Sequence, residues 1–318
     1  MNKRCALLFS SSIENPKIDE ENDLNVATSI REALKALGWE VSCYNIKAGG
    51  FELCSKENET LDFDFVMLFH AGSINAPDLR YWHKAFYPNT IMLAEGGDEW
   101  QCFPYNFPHN RLADCVLSPD CDAVNAYRQN GVNAEWMTHW ADERVYHNTS
   151  AIPLSERHFD IVTTAVHTPI RDKRGYRSLL DAMAKNGINV HNPTIDRGGY
   201  ITQEENGDLY RNSKFVFQFS SQGEITRRIF EAAACGCIVF TDSLKDSKNL
   251  SGLFPPNSIV AYTSIPHIIE TYFALTADLN KAQDLANLCS DVANNNHLAI
   301  HRAQQIIDCY LRMKNESR

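Results

Sequence analysis

The sequence lacks the features that would assign it to a membrane, nucleic-acid-binding or zinc-binding class. Its 318 residues contain no apolar run near the roughly 20 residues that span a bilayer. Its formal net charge of −10 is opposite in sign to that of most proteins that bind nucleic acids or anionic lipid surfaces. The ten cysteines form no C-x-x-C pair and no histidine–cysteine cluster with zinc spacing. We therefore interpret them as buried thiols in a reducing cytoplasm.

The N-terminal segment is equally unlike a secretion signal. It has a basic start and a short apolar stretch, but it lacks the length and the small-residue cleavage site of a signal peptide. We predict a first β-strand there instead.

The composition is that of a folded protein with enough material for two domains. Hydrophobic residues make up 44% of the chain and aromatic residues 10%. Strands and helices alternate as they do in parallel α/β sheets. Strands are predicted at residues 4–10, 39–46, 61–72, 90–100, 113–120, 159–166, 188–192, 214–220, 237–242 and 258–262. Helices are predicted at residues 22–37, 176–187, 204–212 and within 265–318, with a loop at 167–175.

The segment 138–158 is polar and aromatic without periodicity, and we interpret it as a domain boundary. Ligands of parallel α/β sheets bind at the carboxyl ends of strands. In the first domain these ends are Ser10–Ser12, His70–Ser73 and Glu95–Glu99. His70 is a candidate general base or sugar contact, because histidine titrates near neutral pH, although a lone histidine at a strand end is more often structural. Asp98 is the alternative general base.

The stretch SSQGEITRRIFEAAACGCIVFTD, residues 220–242, carries the clearest functional signal. Its pattern is typical of a loop, a short helix, a tight turn and a buried strand. Arg227 and Arg228 fall in the first helical turn, where the helix dipole opposes cations by roughly 0.3–1 kcal/mol each. A bound anion would reverse this effect, since free N–H groups and arginine side chains would act together. The pattern predicts a phosphate site at the start of this helix.

Two further residues of this stretch are consistent with a phosphorylated ligand. Glu231 lies one turn into the helix within an apolar run, where a carboxylate needs a partner or a function. The structural alternative is a pair with Arg227 or Arg228 on the same helix. Gly223 lies in the preceding loop and would let the backbone approach a phosphate closely. The alternative for this loop is an ordinary strand-to-helix turn.

Several blocks of this sequence resemble the CgeB-like glycosyltransferases (spore maturation protein CgeB) of the group 1 glycosyltransferase clan. RIFEAAACGCIVFTD resembles the R-x-F-E-A-x-A-C-G…T-D block of that family. In the same order along the chain, ADCVLSPDCDAVNAYRQNG, THWADERVYH, LYRNSKFVFQFSSQGEITRRIFEA and NNNHLAIHRAQQII resemble further family blocks. The resemblance covers residues 110–310 well and is loose before them.

The resemblance implies an α/β protein of GT-B architecture, in which two Rossmann-like domains with parallel sheets face each other across a cleft. Residues 1–140 would form the acceptor-side domain and residues 141–295 the donor domain. Residues 296–318 would form a C-terminal helix that crosses back to the first domain. The implied activity is transfer of a sugar from a nucleoside-diphosphate sugar, with a UDP-sugar favoured, to an acceptor hydroxyl. Such proteins generally need neither a cofactor nor a metal ion.

The resemblance also implies roles for individual residues. Glu231 would accept hydrogen bonds from the donor ribose hydroxyls, and Arg228 would hold the diphosphate and stabilise it as it leaves. Arg171 and Arg174, in HTPIRDKRG, follow the first strand of the second domain, where the clan often places a phosphate-binding cation. A charge run of this kind is otherwise a solvated surface. Arg227 is a further donor-site candidate without a family counterpart.

One departure from the clan pattern leaves the reaction type open. Many relatives carry two glutamates separated by seven residues, whereas the position eight before Glu231 is Gly223, and Glu224 is one place out of register. Retaining stereochemistry therefore rests on clan membership alone. The alternatives are a glycosyltransferase acting on modified DNA bases, a nucleotide-sugar epimerase or hydrolase, and a non-catalytic coat or interaction protein. The acceptor (a glycan, a protein or a modified base) and the oligomeric state stay open.

Overall fold

The computed structural model describes residues 3–12, 14–18, 26–69, 79–149, 151–196, 201–242, 247–255 and 258–316. The chain divides into two compact units, Met1–Thr138 with Ala299–Arg318, and His139–Leu298. The boundaries predicted from the sequence fall after residues 140 and 295. No helix among the described residues combines the length and the apolar character needed to cross a bilayer.

The N-terminal unit is built on a parallel sheet. Its six described strands are arranged in the order β2-β1-β3-β4-β5-β6. Strands buried on both faces are continuous apolar runs rather than alternating patterns, and FVMLF in β3 is fully buried. The strands are β1 Arg4–Phe9, β2 Glu40–Asn45, β3 Phe65–Phe69, β4 Ile91–Glu95, β5 Cys115–Ser118 and β6 Ala134–Trp136. The helices of this unit before the crossover are α1 Val26–Ala36, α2 Gly50–Leu61, α3 Glu99–Asn110 and α4 Cys121–Gln129.

The C-terminal unit repeats this plan with a second parallel sheet. Its five described strands are arranged in the order β11-β10-β9-β7-β8. The strands are β7 Phe159–Val162, β8 Val190–His191, β9 Ser213–Gln218, β10 Ile238–Asp242 and β11 Val260–Tyr262. The helices are α5 Pro169–Lys173, α6 Tyr176–Lys185, α7 Pro193–Asp196, α8 Gln203–Arg211, α9 Arg227–Ala234, α10 Ser247–Leu253, α11 Ile265–Ala277 and α12 Leu279–Asn296.

The last helix, α13 Ala299–Glu316, belongs to the N-terminal unit, as the predicted returning helix requires. The Arg302 Nε donates to the carbonyl oxygen of Thr138 at 3.0 Å, and the Gln305 amide donates to that of Trp136 at 2.8 Å. The Tyr310 hydroxyl donates to the Asp64 carboxylate at 2.7 Å. These bonds anchor both ends of α13 to the unit that begins the chain.

Sequence patterns missed several elements. The segment 167–175, predicted as a loop, contains α5, because the Thr168 hydroxyl caps the helix by accepting from the Arg171 N–H and Pro169 occupies its first turn. The helix α3 was not predicted, and it contains Pro104 and Pro108. Each proline removes a helical hydrogen bond, so the local sequence does not predict a helix here. The helix α2 and the strand β6 were also missed.

Candidate functional site

The topology of the second sheet defines where a ligand would bind. From β7 the chain proceeds to β8 on one side, whereas from β9 it proceeds to β10 and β11 on the other. The strand order therefore reverses between β7 and β9, which pair with each other. At such a point the loops after the two strands diverge and leave a crevice beside the carboxyl ends. The loop after β9 is residues 219–226, and it leads directly into α9.

The loop after β9 is held in shape by the Asp242 carboxylate at the end of β10. Asp242 accepts hydrogen bonds from the Ser220 N–H at 3.0 Å and from the Ser220 hydroxyl at 2.6 Å. The Ser220 Oγ in turn accepts from the Gly223 N–H at 2.9 Å. Gly223 has a φ of 88°, a left-handed conformation that costs glycine little and most other residues more. Gly223 thus closes the turn that leads the chain into α9.

The Glu224 carboxylate also binds this loop. It accepts from the Ser221 N–H at 2.8 Å and from the Gln222 N–H at 2.5 Å. The N–H groups of residues 221–223 therefore already donate to side chains of the same loop. An anion at this position has to lie beyond Glu224, toward α9, or replace its carboxylate. The expected phosphate contact at Gly223 stays a prediction.

Arg171 and Arg174 both lie beside the loop after β9 and support it. Arg171 is 7% exposed and donates to the carbonyl oxygens of Phe219 at 3.1 Å and Val166 at 2.7 Å. Arg174 donates to the Ser220 carbonyl at 2.6 Å and forms an ion pair with Asp242 at 2.6 Å. The structure thus shows positioning contacts for both arginines, and their predicted contact with a phosphate stays a prediction.

Helix α9 begins at Arg227, so both arginines lie in its first turn as predicted. The N-cap residue Thr226 makes no side-chain capping bond, so the first N–H groups of the helix have no side-chain acceptor at this residue. Arg227 forms an ion pair with Glu231, with 3.2 Å between Nε and Oε1, although the Nε makes no well-directed hydrogen bond. Arg228 is half-buried, and no hydrogen bond or ion pair holds it within the described part of the chain. The two neighbouring arginines therefore differ in their availability to a ligand.

Glu231 is 6% exposed. Burial raises the pKa of its carboxyl group, and the Arg227 and Arg228 guanidinium groups oppose that rise. Asp142 adds to the rise through its negative charge. The structural alternative considered for Glu231, a pair on its own helix, is thus present with Arg227. It does not exclude a ligand, because a carboxylate has two oxygens and several acceptor sites.

Sequence reasoning missed the aromatic and acidic residues that surround Glu231. Burial raises the pKa of the Tyr146 and Tyr210 hydroxyls, and the negative charge of the nearby Glu231 carboxylate is the second cause of this rise. Asp142, which is 1% exposed, forms an ion pair with Arg144 at 2.6 Å. Asp142 and Tyr146 come from the segment without periodicity, and Tyr210 comes from α8. The signal that was available was the position of all three within blocks that resemble the family.

The candidate general bases of the N-terminal unit lie at the end of β4 and beyond β3. Asp98 is exposed, has a φ of 47° and precedes α3 without capping it through its side chain. Its role as a base stays a prediction. His70 lies outside the described residues.

Glu99, next to Asp98, has an environment that the sequence did not reveal. Its carboxylate accepts from the Tyr127 hydroxyl at 2.9 Å and the Asn106 amide at 3.0 Å. It lies so close to Gly96 that a Cβ on that glycine would be 2.0 Å from Oε1. Burial raises the pKa of Glu99 to about 7, against the lowering effect of its two hydrogen bonds.

The Glu99 carboxyl should make the stability of the N-terminal unit depend on pH. Its pKa is higher in the folded chain than in the unfolded chain, so its contribution is complete below the unfolded value and is lost as pH rises through about 7. At 1.36 kcal/mol per pKa unit, the loss is on the order of 3 kcal/mol. Glu99→Gln should flatten the dependence of the unfolding free energy on pH, measured by urea unfolding.

A matched control for this measurement is Glu57→Gln, which removes a carboxylate of the same unit that accepts from the Tyr44 hydroxyl. This variant should keep the wild-type slope. An unchanged slope in Glu99→Gln would contradict the assignment of the titration to Glu99.

The part of the chain that contains this site is similar to a known protein family. Residues 166–308 match the model of a family described as Glycosyl transferase-like. This match begins after β7 and covers β9, the loop after β9, α9 and the first ten residues of α13. It confirms the predicted enzyme class, a glycosyltransferase. No curated protein matches the sequence. The narrower CgeB-like assignment stays a prediction.

Solved structures similar to this chain include several glycosyltransferases. A glycosyltransferase from Rickettsia africae has a TM-score of 0.64 at 12% identity, covering 98% of this chain and 99% of that one. Sucrose-phosphate synthase from Thermosynechococcus elongatus has a TM-score of 0.63 at 12% identity, with 98% and 99% covered. HepE from Anabaena, in complex with UDP, has a TM-score of 0.61 at 13% identity, with 96% and 99% covered. These likenesses confirm the predicted GT-B fold.

Proposed function

We propose that this protein transfers a sugar from a nucleoside-diphosphate sugar to an acceptor hydroxyl, and that α9 binds the donor. The observation that carries the proposal is Arg228, a half-buried cation in the first turn of α9 that makes no hydrogen bond or ion pair in the described part of the chain. The helix dipole disfavours a cation there, and a bound anion would offset this cost. A diphosphate supplies that anion and accepts from the first N–H groups of α9 as well.

The charges around Arg228 support an anionic ligand. Burial is the largest cause that lowers the pKa of Arg171, and the positive charge of Arg228 is the second. The two guanidinium groups therefore lie close enough to repel each other. An anion bound between two such guanidinium groups would relieve their mutual repulsion and accept hydrogen bonds from both. In this proposal Arg228 contacts the diphosphate, and Arg171 and Arg174 hold the loop after β9 while adding positive potential. Arg227 forms an ion pair with Glu231 and opposes the effect of burial on the pKa of that carboxyl group.

We assign to Glu231 the binding of the donor ribose. Its burial removes competition from water, and its ion pair with Arg227 uses one oxygen, Oε1. A carboxylate retains acceptor sites for two vicinal hydroxyls after one such contact. A UDP-sugar is the favoured donor, and the likeness to HepE in complex with UDP supports that choice.

The departing diphosphate defines the chemistry of this site. As the sugar–phosphate bond breaks, negative charge accumulates on the leaving group, and prepositioned cations and N–H groups stabilise it. We propose that these groups replace a metal ion in the transfer step. Retention at the anomeric carbon follows only from the clan resemblance, and Asp98 and His70 are the proposed bases for the acceptor hydroxyl. The ten free cysteines support a cytoplasmic location.

A binding experiment tests the donor site. Thermal unfolding is measured with UDP, GDP, ADP, CDP and TDP and their common sugars, for wild type and Glu231→Gln. A ligand at about 100 times its Kd should stabilise the folded state by about 2.7 kcal/mol. We expect a shift for one nucleotide, loss of most of it in Glu231→Gln, and an unchanged shift in Glu57→Gln. A shift that persists in Glu231→Gln would sink the assignment of Glu231.

Product analysis separates transfer from the two other reactions considered. Incubating the stabilising nucleotide-sugar with the enzyme and candidate acceptors should yield a glycosylated product and free nucleoside diphosphate together. Free sugar without glycosylated product would identify a hydrolase. An isomerised nucleotide-sugar would identify an epimerase. Binding without any turnover would favour the non-catalytic alternative.

A further inference from the structure

The N-terminal unit contains a cluster of two thiols and a carboxylate that donor binding does not use. Cys115 lies in β5, Glu135 in β6 and Cys309 in α13. The two Sγ atoms and a carboxylate oxygen all lie within 4.8 Å of one another. Both cysteines are 0% exposed, whereas the Glu135 side chain is 28% exposed. The cluster is therefore closed on the thiol side and open to solvent at the carboxylate.

The donor set is suited to one kind of cation. Soft thiolate ligands select zinc, copper(I) and similar ions over magnesium and calcium. A zinc ion with Zn–S bonds of about 2.3 Å in tetrahedral geometry holds its sulfur atoms about 3.8 Å apart. The observed limit of 4.8 Å leaves an adjustment of the order of 1 Å. Tetrahedral coordination of a bound ion would need a fourth ligand, which water could supply from the exposed Glu135 side.

Arg312 already binds the carboxylate that a metal ion would use. Its guanidinium group forms an ion pair with the Glu135 carboxylate, and its side chain is 45% exposed. Because the side chain is exposed, it can turn into solvent when Glu135 binds another cation. Arg312 would thus compete with a metal ion for the same carboxylate.

We propose that Cys115, Cys309 and Glu135 bind one zinc-class cation that ties α13 to the sheet of the N-terminal unit. The ion displaces the two thiol protons, which go to solvent, and forms two metal–sulfur bonds and one metal–oxygen bond. Its three ligands are distant in sequence but join β5, β6 and the last helix. Binding therefore stabilises the docking of α13, since an ion that binds only the folded state adds its binding free energy to folding. This site is separate from the donor site and independent of the proposed transfer.

The test uses the full chain and zinc ion alone as the probe. Protein in a non-chelating reductant is loaded with zinc, passed over a desalting column and analysed for metal by mass spectrometry, and its affinity is measured against a chromogenic chelator. We expect one zinc ion per chain in wild type and in Cys289→Ser, which removes a buried thiol outside the cluster. Cys309→Ser should retain none, and the thermal unfolding temperature should rise with zinc in wild type and in Cys289→Ser but not in Cys309→Ser.

Two exposed-side variants keep the test decisive if Cys309→Ser fails to fold. Glu135→Gln should weaken zinc binding at least tenfold, because it removes the charged ligand. Arg312→Ala should strengthen binding several-fold, because it removes the competing cation, and a merely structural arginine would not produce that gain. No retained zinc in wild type, or equal zinc in Cys309→Ser, would overturn the proposal.

Discussion

Replacing Arg228 with alanine should lower the rate of sugar transfer about 10²- to 10³-fold while leaving the protein folded. Loss of a single group that stabilises charge on a leaving or attacking oxygen typically costs this much. The expectation follows from the position of Arg228 in the first turn of α9, where the proposed diphosphate departs. Because Arg228 makes no hydrogen bond or ion pair with any described residue, its removal leaves no buried protein group without a partner.

Steady-state kinetics with the donor identified by the binding screen measure this effect. Arg228→Lys should recover part of the rate, since it restores the charge but not the planar pair of N–H donors. Arg177→Ala is the matched control, because Arg177 lies in the same unit, its side chain is 67% exposed, and its ion pair is with Asp172. A loss of equal size in Arg177→Ala would show that general surface charge, and not a contact at α9, supports the reaction.

The second large effect concerns the C-terminal helix. Ile306→Ala should lower the free energy of unfolding of the N-terminal unit by about 2–5 kcal/mol. Ile306 is 0% exposed on α13, so truncation removes buried apolar surface and leaves a cavity that neighbouring side chains fill only in part. Urea unfolding followed by tryptophan fluorescence measures the loss, because Trp39 of this unit lies 5.6 Å from the ring of Tyr310 on the same helix.

Two graded controls belong to the same helix. Ile306→Val should cost only about 0.5–1.5 kcal/mol, since it removes one methylene group. Leu311→Ala should change stability by no more than about 0.5 kcal/mol, because Leu311 is 48% exposed. If Ile306→Ala and Leu311→Ala have equal effects, α13 does not contribute its buried face to the core of the N-terminal unit.

Sequence patterns were most informative where one local signal dominates. Strands such as β3 and β4 are continuous apolar runs, which is how strands covered on both faces appear in a sequence. The start of α9 at Arg227 was predictable because loop residues and an apolar run meet there. The helix α3 was not predictable, since its two prolines disfavour a helix and its stability comes from packing that no local pattern records.

The sequence by itself determined the fold class, the glycosyltransferase-type motif and the position of two arginines beside a glutamate. Local periodicity carries the alternation of strands and helices, whereas the glycosyltransferase-type motif was identified by its resemblance to a family. Only the tertiary structure decided that Arg227 forms an ion pair with Glu231 while Arg228 makes no ion pair or hydrogen bond with a described residue, and that Arg174 binds Asp242. It also decided that Cys115 and Cys309 meet. These outcomes depend on contacts between residues far apart in the chain or on side-chain directions around a helix, and spacing alone does not specify either.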